Sequence, residues 1–129
     1  MASVEALYVI RFRRAGDKTP GEYKTGQGVI VLETERVLGG DSTYVYVGTY
    51  VIGATAISGR IEAHRHGSDE DVHPVFDATK QFVFEFVGED DSEHVDGERG
   101  DYRAIRLFAR REDSGAPFEA TLYRMKELP

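Results

Sequence analysis

From Ala6 onward the chain changes character at every second residue, and it keeps that rhythm through most of its length. In Glu5 to Arg14, Ala6, Tyr8, Ile10 and Phe12 fall on one face and Leu7 and Val9 on the other. A period of two places alternate side chains on opposite sides of a pleated strand, whereas an amphipathic helix needs a period near 3.6. No stretch holds the helical period for more than two turns. Parallel pairing is disfavoured with it, because parallel strands need long crossovers that are usually helical.

Turn-forming residues divide the pattern into eight strands. "AGDKTPGEY" interrupts it after Arg14, since Gly16, Pro20 and Gly21 cannot extend a central strand. Lys24 to Thr34 follows, with Gly26 and Gly28 on the face of Ile30 and Leu32, leaving room for a neighbouring backbone, a bulky side chain or a ligand. A short strand, Arg36 to Leu38, ends at a Gly39-Gly40-Asp41 turn. Ser42 to Ile52 and Ala54 to His66 are separated by Gly53, and Thr79 to Gly88, Asp101 to Arg111 and Phe118 to Lys126 complete the set. "VHPVFDATK", Val72 to Lys80, is expected to form a single helical turn or a plug over one barrel mouth. The expected fold is all-β: one domain over residues 1–129, an eight-stranded up-and-down antiparallel barrel of lipocalin-like type with little helix.

Composition narrows the chemistry. The 129 residues contain no cysteine, which removes thiol catalysis, disulfides and Cys-ligated metal sites. The formal charge of −7, from 23 acidic and 16 basic residues, repels phosphate backbones, so direct nucleic-acid binding is not expected. "MASVEALYVIRFRR" lacks a basic segment ahead of its apolar residues, and "ALYVI" is much shorter than the ~20 residues of a membrane span. A mature cytoplasmic protein without a membrane partner is the expectation.

The candidate binding residues are aromatic: Tyr8, Phe12, Tyr44, Tyr46, Tyr50, Phe82, Phe84 and Phe86, which would line a barrel cavity able to take a small apolar ligand. Ser42 to Ile52 leaves its orientation open. Tyr44, Tyr46 and Tyr50 alternate with Val45, Val47 and Val51, and only one set can point inward. An outward apolar set would form an association surface.

Polar candidates are weaker. His64 and His66 share a strand face, with Asp69, Asp71 and His73 beyond, but Ile61 and Ala63 claim the inner face and leave the imidazoles in water. No metal or cofactor is expected. Glu33, Glu62, Glu85 and Glu119 fall on outer faces, and there is no GxSxG motif, P-loop or dinucleotide fingerprint, so no catalytic residue is assigned. Arg60 and Arg106 interrupt alternating strands, and their neighbours Ile61, Ile105 and Leu107 turn both outward. Glu89 to Asp101 carries seven acids against one Arg, a solvated loop or, alternatively, a protein-docking loop.

"LYVIRF" at Leu7 to Phe12, "GQGVIVLE" at Gly26 to Glu33 and "VLGGDSTYVYVGTY" at Val37 to Tyr50 occur in an order that resembles the GrlR family of negative regulators linked to type III secretion. "ISGRIEAHRH" at Ile57 to His66 continues the likeness, which covers about the first half of the chain. The resemblance implies a lipocalin-like barrel with an apolar cavity, a homodimer, and a non-enzymatic regulator that holds a transcriptional activator by protein contact. The family's acidic tetrad after the fourth strand is replaced here by "VIGATA", Val51 to Ala56. The acidic runs that remain as partner-binding candidates are Asp69, Glu70 and Asp71, and Glu89, Asp90 and Asp91. The alternative is a lipocalin-like carrier or sensor without a regulatory partner.

Overall fold

The computed structural model describes residues 4–14, 26–66, 80–92 and 102–128. Within them the chain forms eight strands: β1 (Ala6–Arg14), β2 (Gly26–Glu33), β3 (Arg36–Asp41), β4 (Tyr44–Ile52), β5 (Ile57–Arg65), β6 (Gln81–Asp90), β7 (Ala104–Arg111) and β8 (Pro117–Lys126). Each pairs antiparallel with the next, and β1 pairs antiparallel with β8, which closes an up-and-down barrel. No helix occurs among the described residues. Of Val72 to Lys80, expected to form a helical turn or plug, all but Lys80 lies outside them.

Alternation sets the two faces as read from the sequence. Ala6, Tyr8, Ile10 and Phe12 of β1 are buried, as are Ile30 and Leu32 of β2, Phe82, Phe84 and Phe86 of β6, and Ile105, Leu107 and Ala109 of β7. Large inward residues stand beside small ones: Tyr46 is paired with Gly39 and Ala63, and Tyr50 with Gly59. That size complement lets an eight-stranded barrel be filled by its own side chains.

Several strand limits differ from the expectation. Gly39, Gly40 and Asp41 belong to β3, and the reversal into β4 is made by Ser42 and Thr43 alone. The glycines serve close packing: a Cβ on Gly39 would collide with the Val29 carbonyl and stand 2.9 Å from Ile30 Cδ1. Asp41 does cap the turn, since its Oδ1 accepts from the backbone N–H groups of Thr43 (2.8 Å) and Tyr44 (2.7 Å). β5 starts at Ile57, because Gly53 to Ala56 forms a turn closed by a bond from the Gly53 N–H to the Ala56 carbonyl. β6 extends through Glu89 and Asp90, where the pairing with Arg106 and Ile105 continues the ladder.

Candidate protein-docking faces

The interior is occupied by its own rings. Phe12, Tyr46, Tyr44, Phe82, Phe84 and Phe118 form a closed belt in which successive centroids lie 4.9 to 6.4 Å apart. Tilted and edge-on contacts at such distances are favourable aromatic packing. Tyr8, Tyr50 and Phe86 are buried as well. Beside Phe86 a residual cavity of about 10 Å³ remains among Ile10, Ile30, Leu32, Val37, Ile57, Ile61, Leu107 and Leu122. One water molecule would fill that space, and a ligand would have to displace side chains.

Polar groups sit at the two ends of this core. The Tyr46 hydroxyl donates to Asp41 Oδ2 at 2.5 Å, and the Tyr8 hydroxyl donates to the Val4 carbonyl at 2.6 Å. Burial raises the pKa of all four inward tyrosines above the ordinary phenol value, and at Tyr46 the neighbouring Asp41 carboxylate raises it further. The alternation also carries Arg65, Arg111 and Arg124 onto the inward register at the strand ends. The Arg111 guanidinium lies 4.3 Å above the Phe82 ring and is bidentate to Asp113, whose carboxyl it holds below the usual range. Sequence reasoning missed these arginines because it weighed only charges flanked by apolar residues, whereas a terminal arginine can keep the inward register by pairing at the mouth, as Arg111 does with Asp113 and Arg124 with Glu127.

Arg60 and Arg106 point outward, as their neighbours required. Arg60 forms a bidentate pair with Glu112, with contacts of 2.7 and 3.1 Å, and Arg106 reaches Glu119 at 3.3 Å while lying over the Phe108 ring. His64 is half-buried and stands 3.9 Å from the Glu62 carboxylate, while His66 Nε2 lies 2.9 Å from the Asp41 carbonyl. Among the described residues no group of three or more His, Cys, Asp or Glu side chains could hold a metal ion. Asp69, Glu70, Asp71 and His73 lie outside the described residues. Glu89 is exposed on the outer face of β6, whereas the Asp90 carboxylate turns back to Ser92 and the Asp91 N–H bonds the Ala104 carbonyl.

Orientation of β4 is settled: its tyrosines are buried and its valines face out. Two adjacent rows of the outer surface are apolar across four strands. Val9, Val29, Gly40 and Val45 form one row by direct pairing, and Leu7, Val31, Leu38 and Val47 form the next. Val29, Leu38, Val45 and Val47 each keep between 42% and 48% of their surface exposed. The strip ends at β5, where Val45 and Val47 meet His64 and Glu62.

A second outer feature spans β4 to β8, a shallow groove of about 800 Å³. One cross-strand row supplies Val51, Ser58, Val87, Phe108 and Glu119, and the next supplies Thr49, Arg60, Glu85, Arg110 and Pro117. Phe108 and Val87 are 42% and 48% exposed. A row carrying Val51, Val87 and Phe108 beside a charged row is a composition found where proteins meet.

No known protein family matches the chain, and no curated protein matches it.

Proposed function

We propose that this protein is a non-enzymatic regulatory binding protein of the GrlR kind, working in the cytoplasm as a homodimer and acting by contact with a protein partner such as a transcriptional activator. The observation that carries the reading is the pairing of a filled interior with a continuous outer apolar strip, Val9, Val29 and Val45 beside Leu7, Val31, Leu38 and Val47. A carrier would need a cavity, and about 10 Å³ is available beside Phe86. Among the described residues the eight strands close into a barrel without a free edge, which favours association through their side-chain faces.

The energetics support the strip as the dimer surface. Half-exposed valines and leucines each gain on the order of 1 kcal/mol on burial, so a two-row strip supplies a useful part of the association free energy. Among the described residues no helix is long and apolar enough to cross a membrane.

Native mass spectrometry of the purified protein tests the reading. The expected spectrum is a dimer without a retained small molecule, and Val45→Asp with Val47→Asp should give a monomer with an unchanged far-ultraviolet spectrum. A monomeric wild type over a wide concentration range, or a stoichiometric retained lipid or other small molecule, would overturn it.

A further inference from the structure

The groove across β4 to β8 adjoins the strip on β1 to β4 at β4 but is built from different residues, and its charge order is specific. Arg60, Glu85 and Arg110 are successive cross-strand partners, so the row reads positive, negative, positive at intervals of about 4.8 Å. Arg60 is fixed by its bidentate contact with Glu112, and Arg110 by donation to the Gly115 carbonyl at 2.5 Å. Alongside run Val51, Val87 and Phe108, with the Arg106 guanidinium 5.1 Å from the centroid of the Phe108 ring.

We infer that this groove binds an amphipathic α-helix of a partner protein, laid across the strands, with acidic, basic and acidic residues at i, i+3 and i+7 beside an apolar ridge. The spacing selects a helix. Residues i, i+3 and i+7 rise by about 4.5 and 10.5 Å along a helix, close to the one-strand and two-strand separations of about 4.8 and 9.6 Å. An extended segment places same-face residues about 6.7 Å apart and loses register by the third charge. The charge order selects the sign, since an acid meets Arg110, a base meets Glu85, and the acid beside Arg60 shares its guanidinium with Glu112. Phe108, with the Arg106 guanidinium over its ring, supplies the aromatic anchor, in the manner of residues that dominate interfaces. This inference rests on the protein-contact reading above and gives it a partner surface distinct from the dimer strip.

The test uses two synthetic Ala-rich helical peptides with the same Leu ridge, one carrying Glu, Lys and Glu at i, i+3 and i+7, the other Lys, Glu and Lys. Fluorescence anisotropy should show the wild-type protein preferring the first by about tenfold, the equivalent of roughly 1.4 kcal/mol. The variant Arg60→Glu/Glu85→Arg/Arg110→Glu should invert the preference, and Phe108→Ser should weaken both peptides alike. Thermal melts of each variant establish that the barrel is intact. Equal binding of the two peptides, no binding of either, or an uninverted preference in a folded triple variant would overturn the inference. Because Val45 and Val47 are unchanged in these variants, native mass spectra of the same samples report dimer formation separately.

Discussion

Asp41 and Tyr46 are joined by a 2.5 Å bond from the phenol to Oδ2, while the other oxygen of the same carboxylate caps the Ser42-Thr43 reversal. One side chain thus ties the tightest described turn at this end to the aromatic belt. Replacing it by Ala removes two backbone bonds and leaves a buried hydroxyl without its acceptor.

Asp41→Ala should therefore lower unfolding free energy by about 2 to 4 kcal/mol, and Tyr46→Phe by about 1 kcal/mol. Combined, the two should cost less than their sum, because Tyr46→Phe removes the hydroxyl that Asp41→Ala would otherwise orphan. Urea denaturation of the four proteins in the cycle measures the coupling.

The inward tyrosines predict an alkaline limit to stability. Tyr8, Tyr44, Tyr46 and Tyr50 have folded pKa values raised by burial, so the fold favours the neutral phenol. Their contribution is fully present below the unfolded value near 10 and is lost as pH rises through the folded values. Stability should stay level up to about pH 10 and then fall, and tyrosinate absorbance should appear for these four together with unfolding. Gradual ionisation of all tyrosines near pH 10 in a folded protein would contradict the burial.

Thr34 and Glu35 connect β2 to β3 with φ values of 52° and 62°. A β-branched residue in that region is strained, and the two-residue turn with two positive φ angles favours Asn-Gly. The turn is held from outside, since Glu5 Oε1 accepts from the Thr34 N–H at 3.0 Å and the Glu35 carbonyl from the Tyr50 N–H at 3.0 Å. Thr34→Asn with Glu35→Gly should raise stability by about 1 kcal/mol, read as an increased denaturant midpoint at constant slope.

Two interior glycines should respond differently to substitution. A Cβ at Gly88 would meet Leu107 Cδ2 at 2.6 Å, Ile57 Cγ1 at 3.0 Å and Ile105 Cγ2 at 3.1 Å, all side-chain atoms. Gly88→Ala should cost about 1 to 3 kcal/mol, and Leu107→Val should recover part of it. At Gly59 the new carbon would collide with the Thr49 carbonyl as well as Phe86, so trimming Phe86 should not rescue Gly59→Ala. Thermal melts of the paired variants distinguish backbone from side-chain crowding.

Strand number, order and the faces of β1, β6 and β7 were legible because one face of each is distinctly more apolar or more neutral than the other. Tyr44 to Ile52 was not, since tyrosine and valine are both acceptable inside and the choice depends on neighbours. Gly39, Gly59 and Ala63 make room for Tyr46 and Tyr50, and only the pairing register reveals that. Gly39-Gly40 read as a turn because local sequence cannot separate a glycine that permits positive φ from one that admits a neighbouring carbonyl. The strip and the groove were illegible for a related reason. Each combines residues from four or five strands, and no single strand carries an unusual pattern. Arg60 and Arg106, the two charges noted as interrupting alternating strands, do point outward, because Ile61, Ile105 and Leu107 hold the inward register beside them.

The seam between β1 and β8 has a further consequence, for the order of events during synthesis. Leu7 pairs with Lys126 and Arg14 with Phe118, so residues made first wait for residues made more than a hundred positions later. Until β8 emerges from the ribosome, β1 and β7 each expose an unpaired edge, with the aromatic belt open at Phe118. Contacts that distant in sequence slow folding and lengthen the interval in which such edges can meet another chain. A nascent chain stalled before Pro117 should accordingly be the form most dependent on chaperones.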